Sequence, residues 1–184
     1  FTAMAPPGGT ASYTFTLRPG TFLYQSATDR IRTHVPMGLY GALVVDPAAG
    51  TAYAGVGYDA DQILVFSSID PNLNANPAGF DGAKVINWNP QYFLINGKAS
   101  PNTDHLAFGT GNNVLLRLIN AGLETAAPTL EGGLYVNLIA EDANLYPHRT
   151  KQYGIELPAG KTVDALINVS NAGTYALYDR MGQL

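Results

Sequence analysis

His34, His105 and His148 are the only imidazoles of this chain, and no cysteine accompanies them. Disulfides, zinc–thiolate sites and thiol nucleophiles are therefore excluded at the outset. His105 in "NTDHLAF" and His148 in "YPHRTKQY" lie in polar stretches, without a partner at His-x-His spacing, and read as solvated loop residues. Asp104 beside His105 has the residue types of an acid–base pair, but no G-x-S-x-G is present to supply a nucleophile. Gly109 to Asn113 is Gly-rich but leads into a strand pattern rather than a helix, which makes it a turn and not a phosphate loop. Arg117 in "VLLRLI" and Asp164 in "TVDALI" each interrupt an apolar run. A guanidinium desolvated in such a run needs a partner, so an Arg117–Asp164 bridge across strands is predicted, with a structural role. Asn168-Val169-Ser170 fits a glycosylation sequon, relevant only in a eukaryotic secretory route. Trp88 in "INWNPQYF" is expected as a core or interdomain aromatic.

The elements that must position these residues are strands. Of 184 residues, 46% are hydrophobic and only 13% charged, with 20 Gly, 12 Pro and 11 Tyr. That balance favours many turns and strands over long helices. The formal net charge of −4, without a basic run, leaves no electrostatic footprint for nucleic acid or anionic lipid. No apolar run approaches the roughly 20 residues of a membrane helix, and Phe1 opens no signal peptide.

Three strands are predicted in residues 1–48. "ASYTFTL" sets Tyr13, Phe15 and Leu17 against Ser12, Thr14 and Thr16, "TFLYQS" follows the Arg18-Pro19-Gly20 turn, and "GALVVDP" ends at Pro47. So short a piece buries too little surface to stand alone. Residues 49–61, rich in Gly and Ala, read as a linker. From 62 to 184 about seven strands are expected, as in a β-sandwich. They are "QILVFSSID", "NPQYFLINGKASP" with an Asn96-Gly97 hairpin turn, the central "NNVLLRLINAG", "GGLYVNLIAEDA", "YGIELPAG", "TVDALINVS" and "GTYALYDR". No helix is expected beyond one short turn in "INAGLETAAP".

"PGTFLYQS…VPMGLYGALVV" resembles the end of a first cupredoxin domain in multicopper oxidases. "YFLINGKASP", "VLLRLINAG", "LIAEDANLYP", "IELPAGKTVDALI" and "GTYALYDR" resemble, in that order, the second cupredoxin domain of the same family. The resemblance covers most of the chain. It implies an all-β, cupredoxin-like Greek-key β-sandwich, one complete domain plus part of a second. It also implies a secreted or periplasmic protein. Since the family's first domain begins upstream of the segment matched by Phe1, the resemblance implies that missing upstream and downstream segments, or neighbouring subunits, pack on this chain.

The same resemblance marks positions where the family binds copper. Complete oxidases carry His-Ser-His where this chain has Gln25-Ser26-Ala27. Domains with a mononuclear copper place Cys at Ser26, His at His34 and an axial Met or Leu at Leu39, over an interval slightly longer than the one here. Imidazole and thiolate suit copper, whereas an amide, a hydroxyl and a methyl group do not. Gln25, Ser26, Ala27, His34 and Leu39 are thus expected to form a degenerate copper site. No metal, cofactor or catalytic residue is expected in this chain, with copper only where the full protein keeps the family function. The first functional reading is a copper-free scaffold or interaction segment. The second is the non-catalytic stretch of an oxidase whose coppers lie elsewhere and reduce oxygen. A third is an unrelated sandwich that binds carbohydrate or protein.

Overall fold

Every position from Val114 to Asn120 is buried, which requires a strand with a neighbour on each edge and a layer on each face. The computed structural model describes residues 3–28, 30–79 and 87–181. Its strands are β1 (Gly20–Gln25), β2 (Tyr40–Val45), β3 (Thr51–Tyr53), β4 (Val56–Gly57), β5 (Ala60–Ile69), β6 (Tyr92–Ile95) and β7 (Lys98–Ala99). They continue with β8 (Asn113–Asn120), β9 (Pro128–Leu130), β10 (Val136–Glu141), β11 (Asn144–Leu145), β12 (Lys151–Gln152), β13 (Thr162–Asn168) and β14 (Leu177–Asp179). Two short helices, α1 (Ile31–His34) and α2 (Pro71–Ala75), lie among them.

One sheet of 8 strands dominates, in the order β11-β10-β13-β8-β5-β6-β7, with β12 on the far part of β10. Strand β8 runs antiparallel to β13 and parallel to β5. Alternation then divides its side chains between two layers. Val114, Leu116 and Leu118 join Leu64, Phe66, Val163, Ala165 and Ile167 in the main core, which Leu130 of β9 and Leu177 of β14 cover. Leu115 and Arg117 point to the other face, where Leu115 packs with Ala52, Tyr53 and Val56 of the β3–β4 hairpin. The pair β1–β2 forms its own two-stranded ladder, and β1 crosses β13 and β8 on that second face.

The hairpin at Asn96-Gly97 forms as predicted, with φ of 51° and 77° at its two central residues and Ile95 opposite Lys98. Other expectations give way. Residues 11–17 form no strand. Phe15 and Leu17 stay more than half exposed (54% and 53%). The stretch read as a linker folds into β3–β4 and buries Ala52, Tyr53 and Val56. "YGIELPAG" is held by isolated bridges, Thr129 to Gly154 and Ala126 to Leu157, rather than by a strand. Helix α2 was not expected, although Asp70 Oδ1 caps it by accepting from the Asn72 N–H at 2.8 Å, with Pro71 in its first turn. Among the described residues no helix is long and apolar enough to cross a membrane.

Gly20 is where β1 meets the β10–β11 turn. Its φ is 144°, and a Cβ there would stand 2.2 Å from the Ala143 Cβ. Gly20→Ala is therefore expected to destabilise the chain by about 2 kcal/mol, through backbone strain and overpacking together. A urea midpoint equal to that of the wild type would show that β1 does not seat there.

Candidate functional site

The positions of the expected copper frame are brought together by the β1–β2 ladder. Gln25 closes β1 opposite Tyr40, and the ladder extends one step as the Ser26 N–H donates to the Leu39 carbonyl at 3.0 Å. Helix α1 then carries His34 back toward Ser26, and the Leu39 N–H donates to the His34 carbonyl at 3.0 Å. His34 Nδ1 lies 3.0 Å from Ser26 Oγ and 2.9 Å from Thr28 Oγ1. Gln25, Ala27 and Leu39 are exposed at the rim, whereas Ser26, Thr28 and His34 are half-buried.

The ring nitrogen that faces Ser26 is thus occupied by hydroxyls. Copper in the family patterns is held here by two imidazoles or by a thiolate with an imidazole, whereas Gln25, Ser26, Ala27, Thr28, His34 and Leu39 offer an amide, two hydroxyls, one imidazole and two aliphatic side chains. Apart from the imidazole, these groups are poor copper ligands. Among the described residues no group of three or more His, Cys, Asp or Glu is placed to hold any metal ion. Thr28 was missed in the sequence. Its signal was a second hydroxyl two residues past Ser26, in the same polar loop.

The second polar constellation lies between β1–β2 and the large sheet. Arg117 and Asp164 are cross-strand neighbours in the β8–β13 register, but the predicted ion pair is not the one formed. The guanidinium reaches past Asp164: Nη2 pairs with Asp46 Oδ1 at 2.9 Å and Nε with Asp61 Oδ2 at 2.8 Å. Asp164 accepts from Thr21 Oγ1 at 2.6 Å and from the Tyr53 hydroxyl. Thr21 links the two groups, because Arg117 Nη1 donates to its Oγ1 at 3.3 Å. Tyr58 donates to Asp46 at 2.7 Å and lays its ring 5.4 Å from the guanidinium carbon. Burial is the main cause that raises the Asp164 carboxyl above the usual carboxylate range, against the hydroxyls and Arg117, which favour its charge. Burial, then the charge of Asp164, push the Tyr53 phenol up, so it stays a donor.

The other residues singled out in the sequence stand apart. Asp104 pairs with Lys98 at 2.5 Å on the surface, and His105 and His148 are exposed. Gly109 to Asn113 is a turn, in which the Gly109 N–H donates to Asn112 Oδ1 at 2.8 Å. Glu141 and Asp142 share Lys161, at 2.8 and 2.6 Å, around the tight β10–β11 turn. The Lys161 bond is the main cause that lowers the Glu141 carboxyl. Glu141 in turn accepts from Tyr146, whose phenol is pushed up to about 12 by burial and by that bond. Trp88 is half-buried and donates to Glu124, and Asn168 Nδ2 donates to Asn113 Oδ1 at 3.1 Å.

Known proteins share this fold. Residues 70–183 match the multicopper oxidase family. Copper-containing nitrite reductase of Neisseria meningitidis is 25% identical over 180 residues, 94% of this chain and 45% of that protein. The blue copper oxidase of Nitrosomonas europaea superposes with a TM-score of 0.79 at 25% identity, over 91% of this chain and 51% of that one. The multicopper oxidase mgLAC gives 0.77 at 24% identity, over 90% and 51%. The chain spans about half the length of the relatives it matches. The fold is all-β and cupredoxin-like, as the sequence motifs implied, and the chain belongs to the multicopper oxidase family.

Proposed function

We propose that this chain is a copper-free cupredoxin segment that serves as a structural and interaction scaffold within a multicopper-oxidase-like protein. The observation that carries the reading is the Ser26–His34–Thr28 cluster, where hydroxyls take up the imidazole nitrogen that a metal at Ser26 would need. Its surroundings support the second half of the proposal. Tyr24 and Leu39 are exposed beside the cluster, Leu17 lines one cavity with Tyr24, Ser26 and Thr28, and among the described residues β1 and β2 form a sheet of two strands. Apolar side chains next to unpaired strand edges favour association over solvation. The partners proposed are the remaining segments of the same protein or a neighbouring subunit, in the periplasm or outside the cell as the family implies. The chain alone is proposed to be catalytically inactive.

Substitution of both exposed leucines tests the interaction role. Leu17→Ser with Leu39→Ser is expected to change the stability of the chain by no more than about 0.5 kcal/mol, as for surface sites. The same pair should abolish its association with the rest of the protein, read by light scattering of the whole gene product. Unchanged association would overturn the scaffold reading.

A second reading is favoured by the copper-containing nitrite reductase and blue copper oxidase among the relatives. Here the chain is the non-catalytic stretch of a copper enzyme that passes electrons from a donor to oxygen, with the coppers bound by segments outside it. Copper content and oxygen uptake of the whole gene product separate the two readings.

A further inference from the structure

Tyr135 and Tyr153 meet at the outer edge of the large sheet, away from both polar constellations. The β10–β12 register pairs Val136 with Gln152 and Asn137 with Lys151, so Tyr135 and Tyr153 occupy the next step of that ladder. The backbone of Tyr153 is held on its other side as well, since the Leu130 N–H donates to its carbonyl at 3.1 Å and Thr129 bridges to Gly154. The rings lie 4.2 Å apart between centroids, tilted by 33°, and the hydroxyl oxygens are 2.5 Å apart. The hydroxyl oxygens are closer than the ring centres, so the rings converge toward their hydroxyl ends. The Lys151 ammonium sits 5.0 Å from the Tyr135 ring centre and helps to fix that ring. Both phenols are open to solvent, Tyr135 at 37% and Tyr153 at 53% exposure.

We propose that Tyr135 and Tyr153 form an oxidative modification site, at which a one-electron oxidant joins the two rings into an intramolecular dityrosine. Each phenol gives one electron to the oxidant and its hydroxyl proton to water. The two phenoxyl radicals form one carbon–carbon bond between the positions beside the hydroxyls. The hydrogen on each joined carbon then moves to its oxygen and restores the ring. The net loss is two electrons and two protons, which reduce one hydrogen peroxide to two waters when a haem peroxidase is the oxidant. The ladder holds the two rings together before oxidation, so coupling within the chain outruns encounter between chains. Tyr24 and Tyr92 are as exposed as Tyr153 or more so, which makes them internal controls.

The test treats the full chain, dilute, with a haem peroxidase and limiting hydrogen peroxide. The expected product is a monomer lighter by two hydrogen atoms, with dityrosine fluorescence and a cross-linked peptide pair containing residues 135 and 153. Tyr135→Phe and Tyr153→Phe should each lose that product, while Tyr24→Phe and Tyr92→Phe keep it. Because the wild-type peptide map identifies the linkage by itself, the result does not depend on how any variant folds. Cross-links found only between chains, linkages made through Tyr24 or Tyr92 instead, or no dityrosine at all would each overturn the proposal.

Discussion

Arg117→Ala is expected to lower the unfolding free energy by about 3–5 kcal/mol, the range for removing one partner from a buried ion pair. The side chain of Arg117 is fully buried, and its guanidinium is the cation shared by Asp46 and Asp61. Its loss leaves two carboxylates without their cation and Thr21 without a donor, on the seam between β1–β2 and the large sheet. Arg117→Lys should fall between, because an ammonium is a point charge and cannot reproduce separate bonds from Nε, Nη1 and Nη2. Urea unfolding measures both variants, and the slope should stay constant if only the native state is affected. A loss below about 1 kcal/mol for alanine, the level of an exposed ion pair, would show that the seam is solvated.

Asp164 gives the second large effect, and its two variants separate bonding from charge. Asp164→Ala strands the Thr21 and Tyr53 hydroxyls in a buried site, and the expected loss is about 3 kcal/mol. Asp164→Asn keeps one acceptor oxygen and carries no charge to desolvate, so about 1 kcal/mol is expected. The pH dependence has a definite sign. The native carboxyl titrates above its ordinary value of 3.8, so in that window the folded chain binds more protons than the unfolded one. The contribution of Asp164 to stability is therefore fully present below the ordinary value and is lost as pH rises through the raised one. Relative to the asparagine variant, the wild type should gain stability as pH falls from neutral into the carboxylate range. A relative loss on acidification would mean that the hydroxyls and Arg117 outweigh burial.

Much of the large sheet was legible because its strands carry their own signals. The doubly apolar "NVLLRLIN" could only be an interior strand, and Asn96-Gly97 dictated its turn. Periodicity names a face but not a partner, and that is where reading failed. Tyr13, Phe15 and Leu17 alternate as a strand does, yet their stretch takes no strand conformation and the three side chains stay largely exposed. The β3–β4 hairpin was hidden by small residues, which signal a turn or a tight packing surface equally well. The ion pairs of Arg117 were hidden by reach. Register placed Asp164 directly opposite, but a long side chain passes its neighbour, and Asp46 and Asp61 stand where apolar runs end and begin. At the copper frame the family resemblance supplied the positions, and the structure supplied the hydroxyl of Thr28 that fills the space beside His34.

The claim that this polypeptide does not grip copper by itself is tested most directly by metal analysis of the purified chain. Copper(II) is added in excess, loosely held ions are removed by gel filtration, and copper per chain is measured for the wild type and for His34→Ala. Far less than one copper per chain is expected in both, with no difference between them and no intense thiolate-type visible absorption. One copper per wild-type chain, lost in His34→Ala, would contradict it.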